Sequence, residues 1–181
     1  MNEVKFRPRM RFFHSNNKGT GCALSLELVP AIGNDEGYIM ATFANQASVG
    51  NLQGATPIYP KFDWERALIV KLGFEDICKM LQVFRGECES VGDGKGLFHG
   101  KANAYAVITL RHILEPSCGY MLGVRRLYAD GKEARAAIVL SSWEALGICE
   151  AITASMSAIC FGAPVARART EKPTEKKHEA A

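Results

Sequence analysis

The sequence predicts an α+β fold made of two successive units, each with four β-strands followed by one helix. Two observations predict it. Apolar residues recur at every second position in successive segments, which is the period of a strand. Twice, after the fourth such segment, the period changes to the three- and four-residue spacing of an amphipathic helix. We therefore expect two antiparallel four-stranded sheets and two helices, from units at residues 4–86 and 96–162.

The first predicted strand, Val4 to Phe12, places apolar residues on one face and cations on the other. Pro8 has no N–H to give to a central ladder, so this strand is expected at a sheet edge or a bulge. The cationic face consists of Lys5, Arg7, Arg9 and Arg11.

Three further strands and a helix complete the first unit. Strand periodicity covers residues 22–29, 38–45 and 67–72, with Gly-, Asn- and Pro-rich loops between them. From Phe74 onward the helical period continues to Gly86, where a glycine is typical of a helix end.

The second unit repeats this order. Its predicted strands are 96–102, 104–114, 120–128 and 135–140. A helix follows from Ser141 to Phe161, because Ser141 and Glu144 have the spacing of a capping box. This helix is rich in small residues, which favour a close helix contact, either between subunits or within the chain.

Composition indicates one globular domain, residues 1–164, and a flexible charged tail, residues 165–181. The chain is 48% hydrophobic and 23% charged, and no apolar run is expected to span a bilayer. The first residues lack a signal-peptide pattern, so we expect a soluble, cytoplasmic protein with no membrane partner. Its six cysteines form no CxxC pair, which favours structural thiols, with Cys78, Cys149 and Cys160 on apolar helix faces.

No catalytic motif is found. The four histidines are dispersed, and Gly92–Gly96 leads into a strand rather than a helix, so it predicts a turn. Asp63 and Glu65 are a weak candidate for paired carboxylates. We therefore expect no enzyme activity, no metal, no cofactor and no small-molecule substrate.

The cationic strand is the clearest functional signal. Cations at alternate positions form a row with a spacing of roughly 7 Å, which suits a phosphate chain. The alternative is a solvated face paired with acids such as Glu27.

Single-strand binders add aromatic side chains, because every base has a face that stacks. Aromatic residues near the cationic strand or on later strands are Phe13, Tyr38, Phe43, Tyr59, Phe62, Trp64, Tyr105 and Tyr120. Further cations on or beside predicted strands are Lys18, Lys101, Arg111, Arg125, Arg126 and Arg135.

Three short segments, in this order, resemble the Whirly family of single-stranded-DNA-binding proteins. Lys18-Gly-Thr-Gly-Cys-Ala-Leu24 is similar to the family's KGKAAL segment, and Phe62-Asp-Trp64 is similar to its YDW. The strand Tyr38 to Phe43 lies between them. More distantly, the order resembles the kinetoplastid mitochondrial guide-RNA-binding proteins and the Pur-type repeats.

The resemblance implies two sheets packed roughly perpendicular, a homotetramer joined by helices, and DNA running along the sheet surfaces. It makes Lys18, Phe43 and Trp64 site candidates. Gly21 occupies the place of the family's second motif lysine, so the higher-order assembly attributed to that motif is not expected. The plant members carry organelle leaders, and a bacterial or phage-type relative, cytoplasmic or nucleoid-associated, is the better expectation.

The combined prediction is binding of single-stranded DNA with little sequence preference, in protection, repair, recombination or transcription. The alternatives are an RNA-binding or annealing protein on the same fold, and an oligomeric scaffold that binds no nucleic acid. The predicted contact residues are Lys5, Arg7, Arg9, Arg11, Phe13, Lys18, Tyr38, Phe43, Phe62, Trp64, Lys101, Arg111 and Arg125.

Overall fold

A computed structural model of the protein describes residues 8–53, 56–101, 104–114 and 118–162, with only the backbone of Leu52, Gln53 and Lys101. The elements of the first half are β1 Arg9–His14, β2 Cys22–Val29, β3 Tyr38–Ser48, β4 Asn51–Gln53, β5 Thr56–Ile58, β6 Lys61–Phe62, β7 Leu68–Leu72 and α1 Phe74–Phe84. After a 3₁₀ turn at Val91–Gly94, the second half contains β8 Leu97–Lys101, β9 Ala104–Ile113, β10 Gly119–Tyr128, β11 Glu133–Ser141 and α2 Ser142–Phe161.

The strands form two main antiparallel sheets and a separate two-stranded hairpin, β4-β5. In the first sheet β1 is an edge strand beside β2, and β2 pairs with β3, which pairs with both β6 and β7. The second sheet has the order β11-β10-β9-β8. The predicted α+β plan and the Whirly-like fold are confirmed, and the edge position of β1 agrees with the missing N–H of Pro8.

The first sheet differs from the prediction in two ways. It has five strands rather than four, because the short strand β6, which precedes the predicted fourth strand, also pairs with β3. The loop predicted over residues 46–61 also contains the hairpin β4-β5. A register shift in β3 between Gln46 and Ser48 accompanies this insertion, as expected where a ladder bends.

The core lies between the inward faces of the two sheets and the two helices. In β3 the inward residues are Ile39, Ala41 and Phe43, each no more than 4% exposed. The expectation that Phe43 contacts bases is therefore wrong in this structure. Phe43 is 1% exposed because it belongs to the inward phase of its strand, opposite Leu24 and Leu68.

Helix α2 has one buried and one exposed apolar face. Ile148, Ile152 and Ile159 are buried in the core, whereas Trp143 and Phe161 are 77% and 87% exposed. By length and composition alone, α2 is long and apolar enough to cross a membrane. The expectation that no apolar run could span a bilayer was therefore wrong. The buried residues of α2 are Ala145, Ile148, Cys149, Ile152 and Ile159, so one face of the helix packs in the core.

The cysteine thiols are all free, as the absence of CxxC pairs suggests. Burial raises the pKa of Cys22 to about 11, so this thiol is an inert core group. Cys149 is also buried, whereas Cys160, at the end of α2, is exposed.

Two histidines link the units reciprocally. His14 at the end of β1 lies 2.8 Å from Glu144, the third residue of α2, whose carboxylate also accepts the Ser141 backbone N–H at 2.8 Å. His99 in β8 lies 3.0 Å from Asp76, which accepts the N–H of Gly73 at the start of α1. The first strand of each unit thus contacts the helix start of the other unit, and we call these two contacts the histidine clasps.

Glu144→Gln is expected to lower the free energy of unfolding by about 1 kcal/mol at neutral pH, the typical cost of a weakened cap. Burial acts to raise the pKa of Glu144, but hydrogen bonds from the Ser141 backbone, the Ser141 hydroxyl and His14 outweigh it and lower the pKa. The stabilisation is therefore present above the ordinary carboxyl pKa of 4.5 and is lost as the pH falls through the lower folded value.

Urea unfolding of wild type and variant from pH 3 to 7 measures this effect. Glu150→Gln, on the exposed side of the same helix, is the control and should match wild type. An equal loss of unfolding free energy in both variants, independent of pH, would contradict the capping role of Glu144.

Candidate nucleic-acid interface

The outward face of β1 carries two arginines and a phenylalanine. Arg9, Arg11 and Phe13 are exposed, and Met10 and Phe12 point inward and pack against the core. This is the predicted cationic face as far as the structure describes it. Lys5 and Arg7 lie outside the described residues.

Three aromatic side chains meet at the end of this face, and we call Phe13, Phe62 and Trp64 the aromatic cluster. The ring of Phe13 lies 5.7 Å from that of Phe62 and 6.3 Å from that of Trp64, centroid to centroid. Tilted and edge-to-face contacts at these distances are favourable, and they fix the orientation of the rings. Phe13 remains 55% exposed and Trp64 39% exposed, so ring surface is available to a ligand.

Two alanines explain how rings from distant strands meet. On the outward face Phe13 lies opposite Ala23, and Ala23 lies opposite Ala44. Both alanines are 0% exposed although their strand phase points outward. Their small side chains leave a shallow recess, and the rings that lean across it from β1 and β6 cover them.

Arg11 lies beside the aromatic cluster. The Arg11 guanidinium lies 5.7 Å from the centre of the Trp64 ring, within cation–π range. Arg9 lies opposite Glu27, and Arg11 lies opposite Ser25. The alternative of a cationic face paired with acids stays a prediction.

Lys71 is a candidate that the sequence interpretation missed. Its ammonium group lies 4.5 Å from the centre of the Tyr38 ring, on the same outward face. The alternation of Leu68, Val70 and Leu72 as buried residues already placed Lys71 on the exposed side of β7. Tyr38 is half-buried beneath this lysine, so it is less accessible than the aromatic cluster.

The loop between β1 and β2 carries Lys18. Gln46, which is buried, holds the loop: its side-chain oxygen accepts the N–H groups of Asn16 at 2.9 Å and Gly21 at 3.0 Å. The Lys18 N–H donates to Asn16, and the Lys18 side chain is exposed. The structure therefore brings Lys18 to the same end of the sheet as Phe13.

Gly21 has no room for any side chain. A Cβ atom there would lie 2.2 Å from the backbone oxygen of His14 and 2.4 Å from Gln46 Oε1. A lysine cannot occupy this position without moving the loop.

Gly21→Ala is expected to lower the free energy of unfolding by about 1–3 kcal/mol, because the methyl group overlaps backbone. Gly100→Ala is the matched control, since a Cβ at Gly100 meets nothing within 4 Å. Urea unfolding of both variants tests whether Gly21 has room for a side chain. The steric requirement for glycine is refuted if Gly21→Ala is as stable as Gly100→Ala.

Asp63 is a turn residue rather than half of a catalytic pair. The backbone N–H and guanidinium of Arg66 hold the pKa of the Asp63 carboxyl below its ordinary value. Its Oδ2 lies 2.6 Å from Arg66 Nε, and the turn positions Phe62 and Trp64 on either side.

The remaining predicted contacts lie on the second sheet and not with the cluster. Arg111 is exposed on the outward face of β9, and Arg125 on β10 pairs with Glu133 at 2.9 Å. Lys101 ends β8, and its side chain lies outside what the structure describes. Tyr105 and Phe98 are 41% and 66% exposed on the same sheet.

In the part of the chain that the structure describes, no group of three or more His, Cys, Asp or Glu side chains is placed to hold a metal ion. The geometry around the aromatic cluster instead combines exposed aromatic faces with side-chain cations.

Two antiparallel sheets and two helices in this order define a Whirly-like α+β fold. WHY1 from Arabidopsis thaliana is similar, with a TM-score of 0.69 at 14% identity over 87% of this chain and 88% of that chain. WHY3 from Arabidopsis thaliana has a TM-score of 0.60 at 19% identity, over 84% of this chain and 90% of that chain. The plant transcriptional regulator PBF-2 has a TM-score of 0.64 at 16% identity, over 86% of this chain and 83% of that chain.

These similarities extend over most of each chain, and at such identities they establish the fold alone. No protein-family model matches the chain, and no curated protein matches it. Function therefore has to be argued from the site.

Proposed function

We propose that this protein binds single-stranded DNA with little sequence preference. The observation that carries the proposal is the aromatic cluster, whose rings lie partly exposed on a sheet surface beside Arg11. The loop that carries Lys18 begins at the same end of the sheet. Stacking of a base on such a ring contributes about 1 to 3 kcal/mol and is possible for every base. The Whirly-like fold and the resemblance of the motifs support the same function.

The preference for single strands follows from the shape of the cluster. In a duplex the base faces are stacked on one another, so Phe13 and Trp64 can contact them only after a strand is opened. The adjacent arginines contact phosphates, which both forms of DNA carry. We therefore expect the aromatic contacts to discriminate between single-stranded and duplex DNA, and the cationic contacts to add affinity for both.

A binding titration tests the proposal. Fluorescence anisotropy with a mixed-sequence single-stranded DNA, the matching duplex and the matching RNA is measured at two salt concentrations. Tight, salt-sensitive binding of the single strand and weak binding of the duplex are expected. Equal binding of duplex and single strand would refute the proposal, and tighter binding of RNA would move it to the RNA-binding alternative.

We also propose a homotetramer. The exposed face of α2 carries Trp143, Leu146 and Phe161, all more than 60% exposed. An apolar face of this kind is typical of a contact between subunits. Light scattering measures the mass, and a monomer at micromolar concentration would refute the assembly.

The proposal assigns no catalytic activity or cofactor to this surface. A cytoplasmic or nucleoid setting and a part in protection, repair, recombination or transcription stay predictions of the sequence.

A further inference from the structure

A second concave site lies beyond the loop that carries Lys18. It is a cavity of about 610 Å³ between this loop and the outward face of the second sheet. Sites for small ligands have volumes of about 300–1,000 Å³, so one nucleotide fits this space.

The floor of the cavity is flat because its residues are small. Thr109, Gly123 and Ala137 lie side by side across β9, β10 and β11. A Cβ at Gly123 would lie 3.1 Å from the Thr109 hydroxyl and 3.3 Å from the Ala137 Cβ. A side chain at Gly123 would therefore be crowded by both neighbours, and the three small residues offer a level surface to a planar ring.

The mouth of the cavity is cationic. Arg125 and Arg135 are directly opposite each other on neighbouring strands, and both line the cavity. The Glu133 carboxylate lies 2.9 Å from the Arg125 guanidinium and 3.9 Å from that of Arg135, so one negative charge is shared between two positive charges. The Arg135 side chain is 86% exposed, and among the described residues that line the cavity none is acidic. An anion is therefore the complementary ligand.

The rim of the cavity adjoins the aromatic cluster. Asn45 lines the cavity, and its amide donates to the Arg135 backbone oxygen at 3.0 Å. The backbone oxygen of Asn45 accepts the N–H of Asp63, the residue between Phe62 and Trp64. Asn45 therefore connects the edge of the cavity to the turn that carries Phe62 and Trp64.

We propose that the cavity is a separate subsite for one nucleotide of the bound strand. Its base lies on the Thr109–Gly123–Ala137 floor, and its phosphate is held by Arg135. The inference rests on the proposed binding of single-stranded DNA and adds a second contact within the same subunit. Nucleotides on the aromatic cluster are stacked, whereas the nucleotide in the cavity is separated from its neighbours.

The test uses the full chain and oligonucleotides with 2-aminopurine at successive positions. A base removed from its neighbours fluoresces more strongly, so one position is expected to brighten on binding to wild type. Ala137→Phe fills the cavity from an exposed position and should abolish this signal. It should also lower the affinity for strands that reach both sites by about tenfold, the order of one nucleotide contact.

Val139→Phe is the matched control, because Val139 is the next outward residue of β11 and does not line the cavity. Arg135→Gln is a second variant that leaves the floor intact, and it should also weaken binding of strands that reach both sites. Thermal unfolding confirms that each variant is folded.

The outcomes separate the two proposals. If wild type binds no single strand of any length, the proposed function fails. If wild type binds, replacement of Phe13 and Trp64 reduces binding, and Ala137→Phe retains the wild-type affinity and fluorescence, only the cavity subsite is overturned.

Discussion

Replacing both Phe13 and Trp64 by alanine is expected to weaken binding of single-stranded DNA at least about thirtyfold. Each stacked base contributes about 1 to 3 kcal/mol, and the two rings contact each other, so their losses need not be additive. The substitution also uncovers Ala23 and Ala44, which leaves a recess without a stacking surface. Anisotropy titration at fixed salt measures the change in Kd.

Phe74→Ala is the control for this prediction. Phe74 is 50% exposed but lies at the start of α1, and it does not belong to the aromatic cluster. Its replacement should leave the affinity for single-stranded DNA unchanged. If the double variant binds like wild type while remaining folded, the aromatic cluster is not the binding surface.

Replacing Arg9 and Arg11 by glutamine is expected to change the salt dependence of binding. Each phosphate contact on a single strand contributes about 0.7 to the slope of log K against log salt. The double variant should therefore show a slope smaller by about 1.4, with a loss of affinity that is largest at low salt. Titrations at four or more salt concentrations give the slope.

The control removes a cation elsewhere. Lys79→Gln deletes a positive charge on α1, where Lys79 pairs with Glu75 at 2.6 Å. An unchanged slope is expected, because this charge is not on the sheet surface. A slope that falls equally in both variants would indicate a general effect of net charge rather than contacts made by β1.

Strand alternation in the sequence was sufficient to predict the cationic face of β1. Its apolar and charged residues separate completely, so the phase of the strand is unambiguous. The same argument failed at Phe43. In the segment Tyr38 to Ala44 apolar residues occupy both phases, so which phase points inward is decided by pairing with β2 and β7.

The aromatic cluster could not be predicted as a unit. Phe13 and Phe62 come from strands that are far apart in the sequence, and they meet because small residues on the two intervening strands let the rings lean together. That contact depends on tertiary register, which a single sequence does not reveal. Likewise, the short strand β6 was not predicted, because its pairing with β3 depends on the same tertiary register.

The histidine clasps have a consequence for how the molecule can be divided. Each unit supplies a histidine that contacts a carboxylate at the N-terminus of the helix in the other unit. Neither half alone therefore contains all the contacts at its own helix N-terminus. A chain cut between α1 and β8 should yield two fragments that are poorly folded separately and recover their structure when mixed. The duplication therefore applies to the order of the elements. We expect the two units to fold cooperatively, as one domain.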